Sequence, residues 1–266
     1  MLKIFLLLAL VTNLWAHESL QTNDHKAVVS KVAELRARYG ADRVLVVFDI
    51  DNTLMKARQD LGSDQWFEWQ AAAVANRTAE ALFASFDELL KAQADFYQLS
   101  KMDLTQPDLP ALINSMKKNG HSVFLLTSRG PDLRNVTERE LSRNGIDVSD
   151  KTIMKGIPQQ FLEAPFKQKV SFMNGIFMTA GHHKGEALDY LVKKSRRSFD
   201  AIVFTDDLEK HTTRVGQTFS VSNRPEVVTF RYGRVDSEVA RFKASEKSQI
   251  NATARKLMDS YQAVFK

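Results

Sequence analysis

The stretch Val44-Leu45-Val46-Val47-Phe48-Asp49-Ile50-Asp51-Asn52-Thr53-Leu54 decides how this chain is read. Five apolar residues in a row, rich in β-branched side chains, predict a strand buried on both faces, which is the mark of a parallel sheet covered by helices. Two carboxylates spaced i, i+2 then leave the end of that strand together. In an open α/β sheet the ligand crevice lies outside the carboxyl ends of the strands. Two anions held close are stable mainly when a cation sits between them or one is protonated. A hard divalent ion with oxygen ligands is the natural partner. Asp51-Asn52-Thr53 also reads as a plain turn and helix cap.

On either side of this stretch, strand and helix patterns alternate. Strands are predicted at 123–126, more weakly at 171–178, and at 201–204, with helical patterns at 109–118, 132–144 and 184–194 between them. Upstream, Val28, Val29, Val32, Leu35 and Tyr39 give residues 24–39 a helical spacing that Gly40 closes. Downstream, a strand is expected at 227–232 and helix over 237–265, broken near 243–247. The alternation predicts an α/β fold built on a doubly wound parallel sheet. Residues 59–103 interrupt it: they hold Trp66, Phe67, Trp69, Phe83, Phe86, Phe96 and Tyr97, no proline, and one glycine, Gly62. This segment reads as an inserted cap of two or three helices. The expected division is thus 1–16 as a leader, 17–58 with 104–266 as the core, and 59–103 as the cap.

The leader rests on Lys3, the apolar run Ile4 to Val11, and the Leu14-Trp15-Ala16 that precedes His17-Glu18. A short positive start, a brief apolar stretch and a small residue before polar sequence read as a signal peptide. The run is too short for a membrane span, which needs about 20 residues. The expectation is therefore an exported chain, periplasmic or secreted, with no stable membrane insertion once the leader is cut. The absence of cysteine excludes disulfides, thiolate metal sites and cysteine nucleophiles. A net charge of +5 permits an anionic ligand without requiring nucleic acid. The short basic cluster Lys193-Lys194 and Arg196-Arg197 reads as the C-terminal end of a helix, where cations are favoured. No nucleic-acid partner is expected.

Three further strand ends carry chemistry. Phe124-Leu125-Leu126-Thr127-Ser128-Arg129-Gly130 places a hydroxyl, backbone donors and an arginine where phosphoryl oxygens can be held, although such a run is also a common turn. In Gly181-His182-His183-Lys184-Gly185-Glu186, Lys184 opens a helix, where the dipole disfavours a cation. Its position makes sense if it serves an anion. The adjacent His182 and His183 point different ways and read better as loop residues or contacts at a substrate rim than as metal ligands. Finally, Ala201-Ile202-Val203-Phe204-Thr205-Asp206-Asp207 repeats the logic of the opening stretch, an apolar strand ending in two acids.

In chain order, one sheet thus offers Asp-x-Asp-x-Thr, then Thr, then Lys, then Asp-Asp. Over about residues 42–212 the sequence resembles the haloacid dehalogenase (HAD) superfamily, in particular its phosphatase branch and a group of exported bacterial members. The resemblance implies a Rossmann-like core and a Mg²⁺-dependent phosphomonoesterase acting on a small phosphorylated substrate. It makes Asp49 the nucleophile that forms an aspartyl-phosphate and Asp51 the general acid and base. Thr127, Ser128 and Lys184 hold the phosphoryl group. Asp49, the Asp51 main-chain carbonyl, Asp206 and Asp207 surround the metal, with either of the last two as its direct ligand. Asn52 stands where a glycine is often found. Substrate choice falls to the cap and rim, with Trp66, Phe67, Trp69, Arg129 and His183 as candidates. Trp66 and Trp69, at i, i+3, equally suit a helix face packing on its neighbours. Two other readings use the same residues: a metal-binding module without turnover, and a phosphotransferase passing the group to an alcohol. The oligomeric state is open.

Overall fold

The computed structural model describes residues 17–149, 153–154, 160–220 and 225–265, so the leader expected at 1–16 lies outside the described residues. In chain order the elements are β1 (His17–Thr22), α1 (His25–Tyr39), β2 (Val44–Phe48), β3 (Met55–Ala57), α2 (Asp64–Asn76), α3 (Phe86–Leu99) and β4 (Met102–Leu104). They continue with α4 (Leu109–Lys118), β5 (Ser122–Thr127), α5 (Arg134–Arg143), β6 (Phe161–Glu163), β7 (Val170–Met173), β8 (Ile176–Met178) and α6 (Lys184–Ser195). The last are β9 (Ala201–Asp206), α7 (Glu209–Phe219), β10 (Glu226–Tyr232), α8 (Asp236–Ala244) and α9 (Ser248–Phe265).

Eight strands form one sheet in the order β1-β10-β9-β2-β5-β8-β7-β6. The six from β1 to β8 are mutually parallel, β7 runs antiparallel to β8, and β6 at the edge runs antiparallel to β7. Every residue of β2, β5 and β9 is buried, as strands covered on both faces require. Val44, Val46 and Phe48 pack with Val28, Val32 and Leu35 of α1 and with Ile113 of α4. Leu45 and Val47 face Ala187, Leu188 and Leu191 of α6 and Val215 of α7. The chain leaves β2 toward β5 on one side and returns to β9 on the other. The strand order therefore reverses at β2, and a crevice opens at its carboxyl end.

The expected strand at 171–178 is two strands. Asn174 and Gly175 both have positive φ, 52° and 72°, and form the two-residue loop of a β7–β8 hairpin. Asn-Gly is the sequence most suited to that turn. His17–Thr22, too polar to announce itself, is an edge strand paired in parallel with β10.

The interrupting segment is carried on β3 and β4, an antiparallel pair with Met55 opposite Leu104. Between them, α2 and α3 bury Trp66, Leu89 and Phe96 against Phe242 of α8 and Ala254 of α9. The two C-terminal helices thus join the apolar cluster of the insert rather than the clusters on the sheet. On the opposite face of the sheet, Gly185 lets α6 and α7 touch, since a Cβ there would lie 2.6 Å from the Arg214 carbonyl oxygen.

One buried histidine braces the loop after β2. His25, 1% exposed, donates its Nε2–H to the Thr53 carbonyl at 3.1 Å and packs its ring 4.0 Å from that of Tyr232. Burial pushes its pKa down from 6.5 to about 4. Below pH 6.5 the unfolded chain therefore takes up a proton that the fold refuses. The His25 contribution is full above that pH and is lost as pH falls toward 4, by about 3 kcal/mol at most. His25→Phe leaves the Thr53 carbonyl to the Thr105 hydroxyl, 2.6 Å away. We expect urea unfolding of this variant to show a shallower loss of stability between pH 6.5 and 4 than the parent.

Candidate active site

Asp49 is the first residue beyond β2, and its N–H continues the ladder onto the Thr205 carbonyl of β9 at 2.9 Å. The chain then turns tightly: the N–H groups of Thr53, Leu54 and Met55 all reach the Ile50 carbonyl. The turn needs a left-handed residue at position 52, where φ is 55°. Asparagine adopts that region more readily than most side chains, which accounts for Asn52 where a glycine is also suitable. Thr53 fastens the two acid-bearing loops together. Its hydroxyl donates to Asp49 Oδ2 at 3.3 Å and accepts the Asp207 N–H at 2.9 Å.

Lys184 lies between the loops. From the first turn of α6 its Nζ reaches Asp49 Oδ1 at 2.5 Å and Asp206 Oδ2 at 2.6 Å, and the residue is 1% exposed. Burial alone would lower the ammonium, but Asp206 and Asp49 more than reverse this and hold it above its ordinary value. Carboxylate oxygens of Asp49, Asp206 and Asp207 lie within 4.8 Å of one another, all three residues buried. Burial pushes Asp49 up to about 7, with Lys184 opposing and the charges of Asp206 and Asp51 adding to the rise. Burial raises Asp206 as well, against the pull of Lys184. Asp207 is raised well above the usual range by burial, then by Asp206, Asp64 and Asp49. One ammonium among three buried carboxylates leaves negative charge unmet. That oxygen-rich, anionic donor set suits a hard divalent cation.

Asp51 is held differently. Arg129 grips it with two hydrogen bonds, Nη2 to Oδ1 at 2.7 Å and Nε to Oδ2 at 2.9 Å, and the Tyr97 hydroxyl donates to Oδ1 at 3.2 Å. The guanidinium also lies over the Tyr97 ring, 4.3 Å from its centre. Burial would lower Arg129, but Asp51 and Tyr97 beside it outweigh that and raise it. Tyr97 comes from α3, so the insert itself touches this acid.

These groups share one cavity of about 130 Å³, roofed by α2 and α3 through Asp64, Phe67, Leu90, Gln93 and Tyr97. Asp49, Asp51, Ser128, Arg129, Lys184, Asp206 and Asp207 all line it, as does His211 of α7. Of the remaining candidates only Phe67 does. The Thr127 hydroxyl accepts the Arg129 N–H at 3.1 Å, shaping the loop behind the cavity rather than lining it. Trp66 is fully buried in the cluster with Phe83 and Phe96, and Trp69 packs on Phe242 while its Nε1–H donates to Glu80. Phe67, between the two tryptophans on the helix, is the one that faces the cavity. His183 is the N-cap of α6, its Nδ1 accepting the Glu186 N–H at 3.3 Å. His182 stacks on Phe166 with ring centres 3.6 Å apart.

Asp64, Gln93, Tyr97 and His211 were not legible as site residues. Asp64 follows the capping Ser63 at the start of α2, where an acid is expected for the dipole alone. In place, burial and the charges of Asp51, Glu68 and Asp49 push it up to about 8. The one usable signal was Asp64, Phe67 and Glu68 at i, i+3, i+4, which share a helix face.

A family model described as "Protein of unknown function (DUF2608)" matches residues 21–262. A protein of Chlamydia pneumoniae named "Putative outer membrane protein" is 22% identical over 182 residues, covering 67% of this chain. The chain spans 65% of that relative's length. A protein of the same name from Chlamydia trachomatis serovar D is 20% identical over 208 residues, 77% of this chain and 76% of the relative. Among the described residues, no helix is long and apolar enough to cross a membrane.

The site's electrostatics predict a specific fragility. Replacing Lys184 by methionine strands Asp49 and Asp206 without their shared cation. Breaking a buried ion pair from one side costs about 3–5 kcal/mol. We expect Lys184→Met to lower the thermal midpoint measured in EDTA, and Lys184→Met with Asp206→Asn to recover part of the loss.

Proposed function

The chain belongs to the DUF2608 family, and from its site we propose that it is a phosphomonoester hydrolase of the HAD type, working through an aspartyl-phosphate. The observation that carries this reading is the meeting of Asp49, Asp51, Lys184, Asp206 and Asp207 around one cavity at the carboxyl edge of the sheet. The reversal of strand order at β2 and an insert rooted on β3 and β4 are in keeping with a Rossmann-like core under a helical cap. Asp49, Asp206, Asp207 and the Asp51 main-chain carbonyl would hold Mg²⁺, which would supply the positive charge that lets a phosphate dianion approach a carboxylate.

In the first half-reaction a carboxylate oxygen of Asp49 forms a bond to phosphorus as the ester P–O bond breaks, and Asp51 gives its proton to the departing alkoxide. In the second, Asp51 takes a proton from water. That water's oxygen bonds to phosphorus, the Asp49–phosphorus bond breaks, and phosphate leaves with Asp49 restored. Lys184 offsets the charge that builds on the phosphoryl oxygens. Ser128 lines the same cavity and is the hydroxyl proposed to meet those oxygens. Asp51 reaches this role only when Arg129 releases it. An incoming phosphate is a competing anion for the same guanidinium, so substrate entry and the freeing of Asp51 are one event.

Export is part of the proposal. It is supported by the apolar leader at 1–16 and by the names of the chlamydial relatives. The grip of Arg129 and Tyr97 on Asp51 is the feature that favours the other reading, a module that binds metal and phosphate without turnover.

Assay of p-nitrophenyl phosphate hydrolysis with Mg²⁺ separates the two. We expect activity in the parent protein, abolished by EDTA and reduced at least about 1,000-fold by Asp49→Asn. Equal rates in parent and variant would remove Asp49 as nucleophile, and no hydrolysis in either favours the binding module. Phosphate appearing on an added alcohol would mark a transferase.

A further inference from the structure

The cavity has a second wall whose polar atoms are all of one kind. Gln93, 4% exposed, donates Nε2–H to the Gly62 carbonyl at 2.8 Å, which turns its Oε1 the other way; that oxygen is buried and has no partner. The Tyr97 hydroxyl is already spent on Asp51. Asp64 faces the same space, and among the described residues its carboxylate makes no ion pair, whereas Glu68 one turn on is met by Lys210 at 3.3 Å. Around them the surface is apolar, from Phe67 and Leu90. The insert thus offers two unfilled groups, the Gln93 Oε1 acceptor and the Asp64 carboxyl, which a bound cation would hold ionised.

Charge points the same way. On the sheet side, Asp51 is paired with Arg129 until a phosphate enters, while Lys184 and the proposed metal answer Asp49, Asp206 and Asp207. Asp64 is the acid left over. A leaving group bearing a carboxylate or a second phosphate would add negative charge beside it, and a cationic one would supply the partner it lacks.

We infer that the substrate is the phosphate monoester of an amino alcohol, its primary ammonium donating to Asp64 and Gln93 Oε1 while its phosphoryl group lies against Lys184. This specificity rests on the phosphatase reading, but the subsite can be tested by binding alone. Calorimetric titration of the Asp49→Asn protein with Mg²⁺ compares 2-aminoethyl phosphate, 2-hydroxyethyl phosphate and carboxymethyl phosphate. The amine should bind at least about tenfold more tightly than the alcohol and about a hundredfold more tightly than the acid, as expected when a buried acceptor pair is left unfilled or opposed. Adding Asp64→Asn or Gln93→Leu should bring the amine and the alcohol within about threefold. Equal affinities in the parent background, or a preference that survives both substitutions, would overturn the subsite. Kinetics on p-nitrophenyl phosphate keep the two claims apart. Selective binding without any hydrolysis would refute the phosphatase and keep the subsite, and hydrolysis of all three esters at one kcat/KM would do the reverse.

Discussion

A single ammonium group shared by two buried carboxylates organises this molecule. Lys184 is placed where a helix dipole opposes it and where water cannot reach it, and both costs are met by Asp49 and Asp206. The pairing draws three separate parts of the chain to one point, the end of β2, the end of β9 and the start of α6. Much of the surrounding structure serves that convergence. Gly185 permits α6 to approach α7 closely, Thr53 pins the two acid loops to each other, and His25 holds the carbonyl of Thr53 from below. The same crowding of acids that requires Lys184 leaves room for more positive charge.

The parts of the fold governed by continuous burial could be read directly. Val44 to Phe48 and Ala201 to Phe204 are apolar without interruption because helices cover both faces, and the acids that follow them mark the crevice. Parts governed by pairing rather than burial could not. His17–Thr22 carries a single apolar side chain, Leu20, and becomes a strand because β10 offers it an edge. The hairpin at Asn174-Gly175 was hidden inside one apolar run, although its turn residues are well suited to their positive φ.

Within the site, residues on the sheet were recognisable by their place after strands, and those on the insert were not. Periodicity places Trp66, Phe67 and Trp69 on a helix, but it does not say which face meets the sheet. The larger side chains went to the cluster with Phe96 and Phe242, where they bury the most surface, and Phe67 was left for the cavity. His183 showed the opposite ambiguity: a plausible rim residue whose ring nitrogen is taken by its own helix. Arg129 looked like a phosphate contact or a salt bridge. In the structure it makes the bridge, and its partner is the acid on which the proposed chemistry turns.

The joining of β1 to β10, and of α8 and α9 to the insert, has a consequence for how the polypeptide reaches this shape. The earliest described segment finds its partner only after more than two hundred residues have followed it, and the aromatic face of α2 and α3 stays open until the last helices arrive. Contacts of such long separation in sequence slow folding, because loop closure must precede any gain from the contact. A chain emerging N-terminus first, whether from a ribosome or through a translocation pore, therefore carries a bare strand edge and an uncovered greasy surface for most of its passage. Such intermediates are the ones that need a holding chaperone.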